Sequence, residues 1–149
     1  MQKLNFDLGL KEYKIGGGVL RFNPSDPNVY ARFTEAGKRF SEVEEKLVAK
    51  AKEAGDQAPG EVMLQLLVDA DRETKEILAW IFGAHNDFDA IFCDANVMSI
   101  GSNGERVITN FIYAIQPVME DGAKECAKQQ VDDAVGKARK NREQRQVTE

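Results

Sequence analysis

Histidine, cysteine and tryptophan are scarce in this sequence, and their scarcity excludes several classes of function. Among 149 residues there are one histidine, two cysteines and one tryptophan. Zinc and most transition metals take their ligands from clustered histidines, cysteines and carboxylates. The only histidine, His85, opens a loop-like stretch that contains Asp87, Asp89, Cys93 and Asp94. Their spacing matches no known ligand pattern, so we expect a solvated loop whose aspartates cap helices, with no metal and no cofactor.

Nucleophilic catalysis has equally little support. Cys93 and His85 lie near each other in the chain, but no third group is recognisable that would orient the imidazole. Cys126 falls in a polar stretch. The two cysteines form no CxxC pair, which predicts free thiols in a reducing compartment. We therefore expect a protein that is not an enzyme.

Long apolar runs and a surplus of basic charge are also lacking. No run approaches the roughly 20 apolar residues that cross a bilayer, and residues 1–10 lack the apolar core that a signal peptide would have. The net charge of −5 differs from the basic balance of a general nucleic-acid coat. With 42% hydrophobic and 30% charged residues, the composition predicts an ordinary globular domain in the cytoplasm.

The first pattern that the sequence does contain is that of a strand. Apolar and polar residues alternate from Leu4 to Leu8, and the alternation resumes at Tyr13. After the glycines at 16–18 the apolar residues move from odd-numbered to even-numbered positions. A parity change of this kind is typical of a β-bulge, so we predict a hairpin over residues 3–22 with a glycine-rich kink. A phosphate-binding loop would need a helix directly after the glycines, whereas the next residues continue as a strand.

Helical periodicity dominates the rest of the chain. The aspartate–proline pair at 26–27 has the residue types of an N-cap and a first helical position, and apolar residues then recur every three or four positions. Gly37 lies inside this first helix, where a close helix crossing would explain it. A later helix is expected to begin at Ser102 or Asn103 and to kink or end just before Pro117.

These patterns predict a mainly α fold, namely a helical domain of three to five helices with a small N-terminal β-hairpin. The hairpin arm takes residues 1–24 and the helical core takes residues 25–122. Residues 123–149 form a polar, basic C-terminal helix or tail, and the whole chain is one domain.

Two groups of residues are candidates for binding a partner. Aromatic residues cluster near the second and third helices, where they form either core or an exposed patch for another protein: Trp80, Phe82, Phe88, Phe92, Phe111 and Tyr113. Cations cluster near the C-terminus, where they either contact phosphates or an acidic protein, or form a solvated helix end that complements the macrodipole: Lys137, Arg139, Lys140, Arg142 and Arg145.

Three stretches together resemble tail assembly chaperones from long-tailed phages and prophages of Gram-positive bacteria. RFNPSDPNVYARF, residues 21–33, is similar to their N-terminal signature, a strand that runs into an asparagine-proline-aspartate helix start. ILAWIFGAHNDFDAIFCDANVMSI, residues 77–100, and ERVITNFIYAIQPVM, residues 105–119, resemble their second signature. That signature has a helix ending in Phe-Gly, a short aromatic segment, an asparagine-containing loop and an apolar helix that stops at proline.

The resemblance implies a role without catalysis. Proteins of this family bind the long, helical tape measure protein, help recruit tail tube subunits around it, and are absent from the finished virion. The implied location is the cytoplasm of the host bacterium. The resemblance is also compatible with self-association and with a longer form made by ribosomal frameshifting, since Gly136-Lys137 is a dipeptide that slippery codons encode.

Two other classes of protein stay open. One is a small helical nucleic-acid-binding regulator that uses the basic tail, although the overall acidity makes nucleic acid the less favoured partner. The other is a structural head–tail connector of the virion. No membrane partner is expected for any of these roles.

Overall fold

The fold is mainly α, with a small hairpin at its N-terminal end. The computed structural model describes the backbone of residues 1–148 and the side chains of residues 1–145. This part of the chain is 65% helical, which confirms the fold class predicted from the sequence. In chain order it contains strands β1 (Lys11–Ile15) and β2 (Gly18–Phe22), and helices α1 (Pro27–Ala54), α2 (Gly60–Phe82), α3 (Phe88–Ile91) and α4 (Val107–Thr148).

The hairpin is shorter and more regular than the sequence pattern predicts. β1 and β2 pair antiparallel with Tyr13 opposite Leu20 and Ile15 opposite Gly18, so that a two-residue turn joins them. The predicted bulge is therefore wrong: the tight turn alone changes the parity, because directly opposite residues lie on the same face. The predicted strand at residues 4–8 is also wrong, since residues 1–10 form no strand and their side chains are exposed.

The glycine run allows the hairpin turn to approach the backbone of α3. The Gly17 N–H donates to the carbonyl oxygen of Ile91 at 3.0 Å. A Cβ on Gly16 would collide with that same oxygen, and one on Gly17 would lie 2.5 Å from Cys93 Sγ. Gly16 also has φ +56°, which favours glycine on backbone grounds. The glycines thus serve the packing of the hairpin on α3.

Helices α1 and α2 form a helical hairpin next to the strands. Asp26 caps α1 as predicted, with its side chain accepting from the Asn28 N–H at 2.9 Å, and Pro27 is the first helical residue. Gly55 ends α1 with φ +79°. The close helix crossing that would explain Gly37 is not found, because a Cβ built there meets no atom within 4 Å. Gly37 instead faces an open groove.

Helix α4 is longer than predicted and passes through Pro117 without ending. It begins at Val107 rather than at Ser102 or Asn103 and runs to Thr148. Proline removes one backbone donor, so the carbonyl of Tyr113, four residues earlier, loses its helical partner. Both residues are exposed, and on an exposed face of a helix water can bind a carbonyl that has lost its helical partner. The predicted boundary at 122 therefore falls inside one continuous helix, and residue 149 of the predicted tail lies outside the described residues.

One hydrophobic core joins the hairpin to all four helices. It receives residues from β2, from the facing sides of α1 and α2, from α3 and the loop after it, and from the first turns of α4. Its most deeply buried large side chains are Leu20, Phe22, Leu78, Ile81, Val97, Ile115 and Met119.

Candidate partner-binding surfaces

The aromatic residues predicted as a binding patch are mostly core. Phe82, Phe88, Phe92 and Phe111 are all less than 9% exposed. Phe82 lies edge-on to Phe22 with ring centroids 4.9 Å apart, and Phe92 lies 5.3 Å from Phe111. An exposed aromatic patch made of these four rings is therefore wrong. They fill the space where the hairpin, α3 and α4 meet, and this burial accounts for the aromatic surplus of the sequence.

The remaining two aromatic candidates are accessible but lie on different helices. Trp80, on α2, is half-buried, and the guanidinium of Arg39 from α1 lies 3.7 Å from the centre of its ring. Its face is thus occupied by an intramolecular cation–π contact. Tyr113 is 60% exposed on α4. Of the six predicted residues, only Tyr113 presents a freely exposed ring to a partner.

A groove between α1 and α4 is a better candidate for binding a partner. It has a volume of about 310 Å³ and lies directly over Gly37. Because Gly37 has no side chain, the floor of the groove is open at its middle. Most of its lining comes from three aromatic and two other apolar side chains: Tyr30, Phe33, Phe40, Ile112 and Met119. Three polar residues and one glycine complete it: Thr34, Gln116, Glu120 and Gly37.

A second depression lies beside the first along α1. It has a volume of about 380 Å³, shares the Phe40 side chain with the first and reaches the start of α4. Arg106 closes this end, with Nη2 lying 3.0 Å from Glu44 Oε1 and Nη1 donating to the Met98 carbonyl at 2.7 Å. From Tyr30 to Glu44 the groove follows about 21 Å of α1, at 1.5 Å per residue. We call the two depressions together the α1–α4 groove.

The chemistry of the α1–α4 groove suits an amphipathic helix. Apolar side chains form its middle. Carboxylates lie at its ends, with Glu120 at one end and Glu105 at the other, while Glu44 is already paired with Arg106. The Glu120 carboxylate accepts from the Gln116 amide at 3.1 Å and stays exposed. A helix with an apolar stripe and flanking cations would therefore match both the lining and the rim. The one sequence signal for this site was Gly37, a glycine inside an otherwise regular helix.

Two further apolar surfaces are exposed. One is the N-terminal arm, residues 1–10, where Leu4 and Phe6 are 86% and 78% exposed and Leu8 and Leu10 follow them. The other is the start of α2, where four neighbouring apolar side chains are exposed: Val62, Met63, Leu64 and Val68. The α1–α4 groove is in contrast concave.

The basic residues predicted near the C-terminus lie on the exposed last turns of α4. Lys137, Arg139, Lys140, Arg142 and Arg145 are all exposed, and Lys137 Nζ lies 3.2 Å from Asp133 one turn earlier. The helical form of this segment agrees with one of the two predicted alternatives, a helix rather than an irregular tail.

The loop around His85 is structural, and its main residue was missed by the sequence analysis. The Asn86 side chain accepts from the Arg21 N–H at 2.7 Å and donates to the Arg21 carbonyl at 3.0 Å. It thereby replaces a neighbouring strand at the outer edge of β2. His85 Nε2 lies 2.9 Å from the same carbonyl, and Asp87 caps α3 by accepting from the Ala90 N–H at 3.0 Å. Burial of Asn86 cannot be read from its spacing in the sequence.

A lysine fastens α2 to α3 and the following loop. Lys75 Nζ lies 3.1 Å from Asp71, 2.9 Å from Asp89 and 3.3 Å from the Ala95 carbonyl. Partial burial lowers the pKa of Lys75, but the hydrogen bonds and charges of Asp89 and Asp71 outweigh this effect, so its pKa is raised. The ammonium therefore stays charged and holds the segment after α3 in place.

The part of the chain that the structure describes was also examined for metal sites and membrane-spanning helices, and the chain was compared with known proteins. Within the part of the chain that the structure describes, no three histidine, cysteine or acidic side chains come together in a way that could hold a metal ion. None of the helices in that part combines the length and the apolar character needed to cross a membrane. Comparison with protein-family models, curated proteins and solved structures found no significant match.

Proposed function

We propose that this chain is a tail assembly chaperone of a long-tailed phage or prophage, and that it binds helical segments of the tape measure protein in the α1–α4 groove. The role is supported by the resemblance of residues 21–33 and 77–119 to the two signatures of that family. The mode of binding is supported by one observation above all. Gly37 leaves an opening between α1 and α4 that is walled by Phe33, Phe40 and Ile112.

The dimensions of the groove match a short helix. About 21 Å of groove holds roughly four helical turns, which is about 14 residues of a partner. Such a helix would place side chains at positions i, i+3, i+4 and i+7 against the aromatic walls. The rim carboxylates, Glu120 and Glu105, would favour lysine or arginine beside that apolar stripe.

The function that follows is to cover apolar surface until assembly begins. A tape measure protein is long and helical, and its amphipathic segments would aggregate if their apolar faces stayed in water. A chain that covers one segment of four turns at a time must bind in many copies along the tape measure. Tail tube subunits would then displace these copies as the tube grows, so the chaperone acts in the host cytoplasm and is absent from the virion.

The proposal is tested by recovering the partners of the tagged chain from cells that carry the complete parent genome. We expect mass spectrometry to identify a long helical tape measure protein, a tail tube protein and a longer form of this chain. Mature particles should contain none of it. Recovery of no tail protein contradicts the proposal, and presence of the chain in purified particles would favour a head–tail connector.

The exposed cations on the last turns of α4 favour a second candidate, a nucleic-acid-binding regulator. This role predicts a steep fall of affinity with salt and loss of binding when residues 137–145 are neutralised. A flat gel-shift titration at low ionic strength excludes it. Binding to tape measure segments should in contrast change little with moderate salt, because apolar burial in the α1–α4 groove dominates it.

A further inference from the structure

The last part of α4 projects beyond the body of the protein. No side chain from residue 123 to residue 145 is buried, yet the segment is helical throughout. We call it distal α4. At 1.5 Å per residue it extends for about 34 Å. In folded proteins most helical stability comes from packing of an apolar face rather than from propensity, so a partner along its side would stabilise this segment.

One side of distal α4 is apolar. Val131 is 62% exposed and Val135 is 46% exposed, and three alanines lie beside them at helical spacing. The members of this stripe fall within about a quarter to a third of the helix circumference at 100° per residue: Ala127, Val131, Ala134, Val135 and Ala138. The stripe carries two valines and three alanines, small side chains that allow a second helix to approach closely along it.

Charge is unevenly distributed along distal α4. Residues 123–133 carry three carboxylates and two lysines, whereas residues 134–145 carry five cations and one carboxylate. The two valines lie at the junction between the acidic and the basic part. Two copies of the helix placed side by side in the same direction would align acid with acid and base with base.

We propose that two copies of this chain associate through distal α4 as an antiparallel helical pair centred on Val131 and Val135. In that arrangement the basic end of each helix lies along the acidic part of the other, so that Lys140 of one copy is level with Glu125 of its partner. The apolar stripes meet at the centre. The pairing is independent of the tape measure protein and of the α1–α4 groove.

The orientation follows from the charges, because only the antiparallel pair places the cations of each helix beside the carboxylates of the other rather than beside like charges. The intrahelical pair between Lys137 and Asp133, 3.2 Å apart, is exposed and contributes little by itself. Asp132, Arg139 and Lys140 are exposed along the same helix, where a partner helix could reach them. Ionic strength should therefore weaken the antiparallel pair, whereas a parallel pair would become tighter as salt screens its repulsion.

The test uses two charge-reversed variants of the full chain. In the first, Lys137→Glu, Arg139→Glu and Lys140→Glu make both halves of distal α4 acidic. In the second, Glu125→Lys, Asp132→Lys and Asp133→Lys make both halves basic. Sedimentation velocity should show the wild-type chain as a dimer at about 0.05 M salt. The dissociation constant of the dimer should be at least tenfold higher near 0.5 M salt. Each variant alone should be monomeric, and an equimolar mixture of the two should dimerise.

A matched control is available on α1. Lys38→Glu, Lys50→Glu and Lys52→Glu reverse three exposed cations away from distal α4, and this variant should dimerise like the wild type. Circular dichroism identifies any variant that fails to fold. The proposal is overturned if the wild-type chain is monomeric at low salt, if either variant alone still dimerises, or if the mixture stays monomeric. Retained dimerisation of Val131→Asp would contradict the seam at the valines.

Discussion

Replacing Asn86 with alanine should destabilise the protein more than its position in a polar loop suggests. The side chain is 9% exposed, and its Oδ1 accepts from the Arg21 N–H. Its Nδ2 donates one hydrogen to the Arg21 carbonyl and directs the other at the carbonyls of Phe82 and Gly83, which share it. Each such bond contributes about 1 kcal/mol net, and the Arg21 N–H would be left without its partner. His85 Nε2 stays within hydrogen-bond distance of the Arg21 carbonyl, which limits the loss of stability. We expect Asn86→Ala to lower the free energy of unfolding by about 3 kcal/mol.

This loss can be measured by urea denaturation and by thermal denaturation, each followed by circular dichroism. For a chain of this size about 3 kcal/mol corresponds to a fall in Tm of roughly 6–12 °C. The denaturant slope should stay unchanged, because the surface exposed on unfolding is the same. Asn28→Ala, an exposed substitution in the first turn of α1, is the control and should change stability by less than about 0.5 kcal/mol. A loss below about 1 kcal/mol for Asn86→Ala would refute the view that this amide replaces a strand at the edge of β2.

Two further predictions concern α4 and Lys75. Gly122→Ala should destabilise the protein by about 1–2 kcal/mol, because a Cβ there would lie 2.5 Å from the carbonyl carbon of Pro24 and this collision outweighs the gain in helix propensity. Gly136→Ala, where a Cβ meets nothing within 4 Å, should instead raise helix content and be neutral or stabilising by up to about 1 kcal/mol; equal effects of the two variants in thermal melts would contradict this contrast. Lys75→Met should cost about 1 kcal/mol at pH 8. The pKa of Lys75 is raised, so its contribution is complete below the ordinary lysine pKa of about 10.4 and is lost as pH rises through the higher folded value. The difference between Lys75→Met and the wild type should thus shrink above that pH, and a constant difference up to pH 12 would exclude the ion pair as its cause.

The helices could be predicted from the sequence because their signals are local. Asp26 and Pro27 mark the start of α1 by residue type alone, and a stripe of apolar residues needs no knowledge of the partner surface. Whether the helix kinks, ends or continues at Pro117 could not be decided in the same way. Whether a missing backbone donor breaks a helix depends on whether water can reach the freed carbonyl, and exposure is a property of the fold.

The candidate site was less accessible to sequence reasoning than the fold. Periodicity distinguishes apolar faces from polar ones, but it does not tell a buried phenylalanine such as Phe111 from one on a groove such as Phe33. That distinction arises from the angle between α1 and α4, which pairs of distant residues determine. Similarly, Asn86 looks like a loop residue until β2 is placed against it. Gly37 was noticed, and only its explanation, an open groove rather than a close crossing, required the structure.

The measurement that tests the central claim most directly is the affinity of the α1–α4 groove for helical segments of the tape measure protein. Peptides that tile the tape measure protein of the parent genome would be titrated by fluorescence anisotropy with the wild-type chain, with Gly37→Leu and with Ala49→Leu. Leucine at position 37 fills the opening of the groove, whereas leucine at position 49 adds the same bulk to an exposed part of α1 outside it. We expect at least one peptide to bind the wild type and Ala49→Leu equally, and to bind Gly37→Leu at least tenfold more weakly, a difference of about 1.4 kcal/mol. Equal binding by Gly37→Leu, or no binding of any peptide to the wild type, would contradict the account.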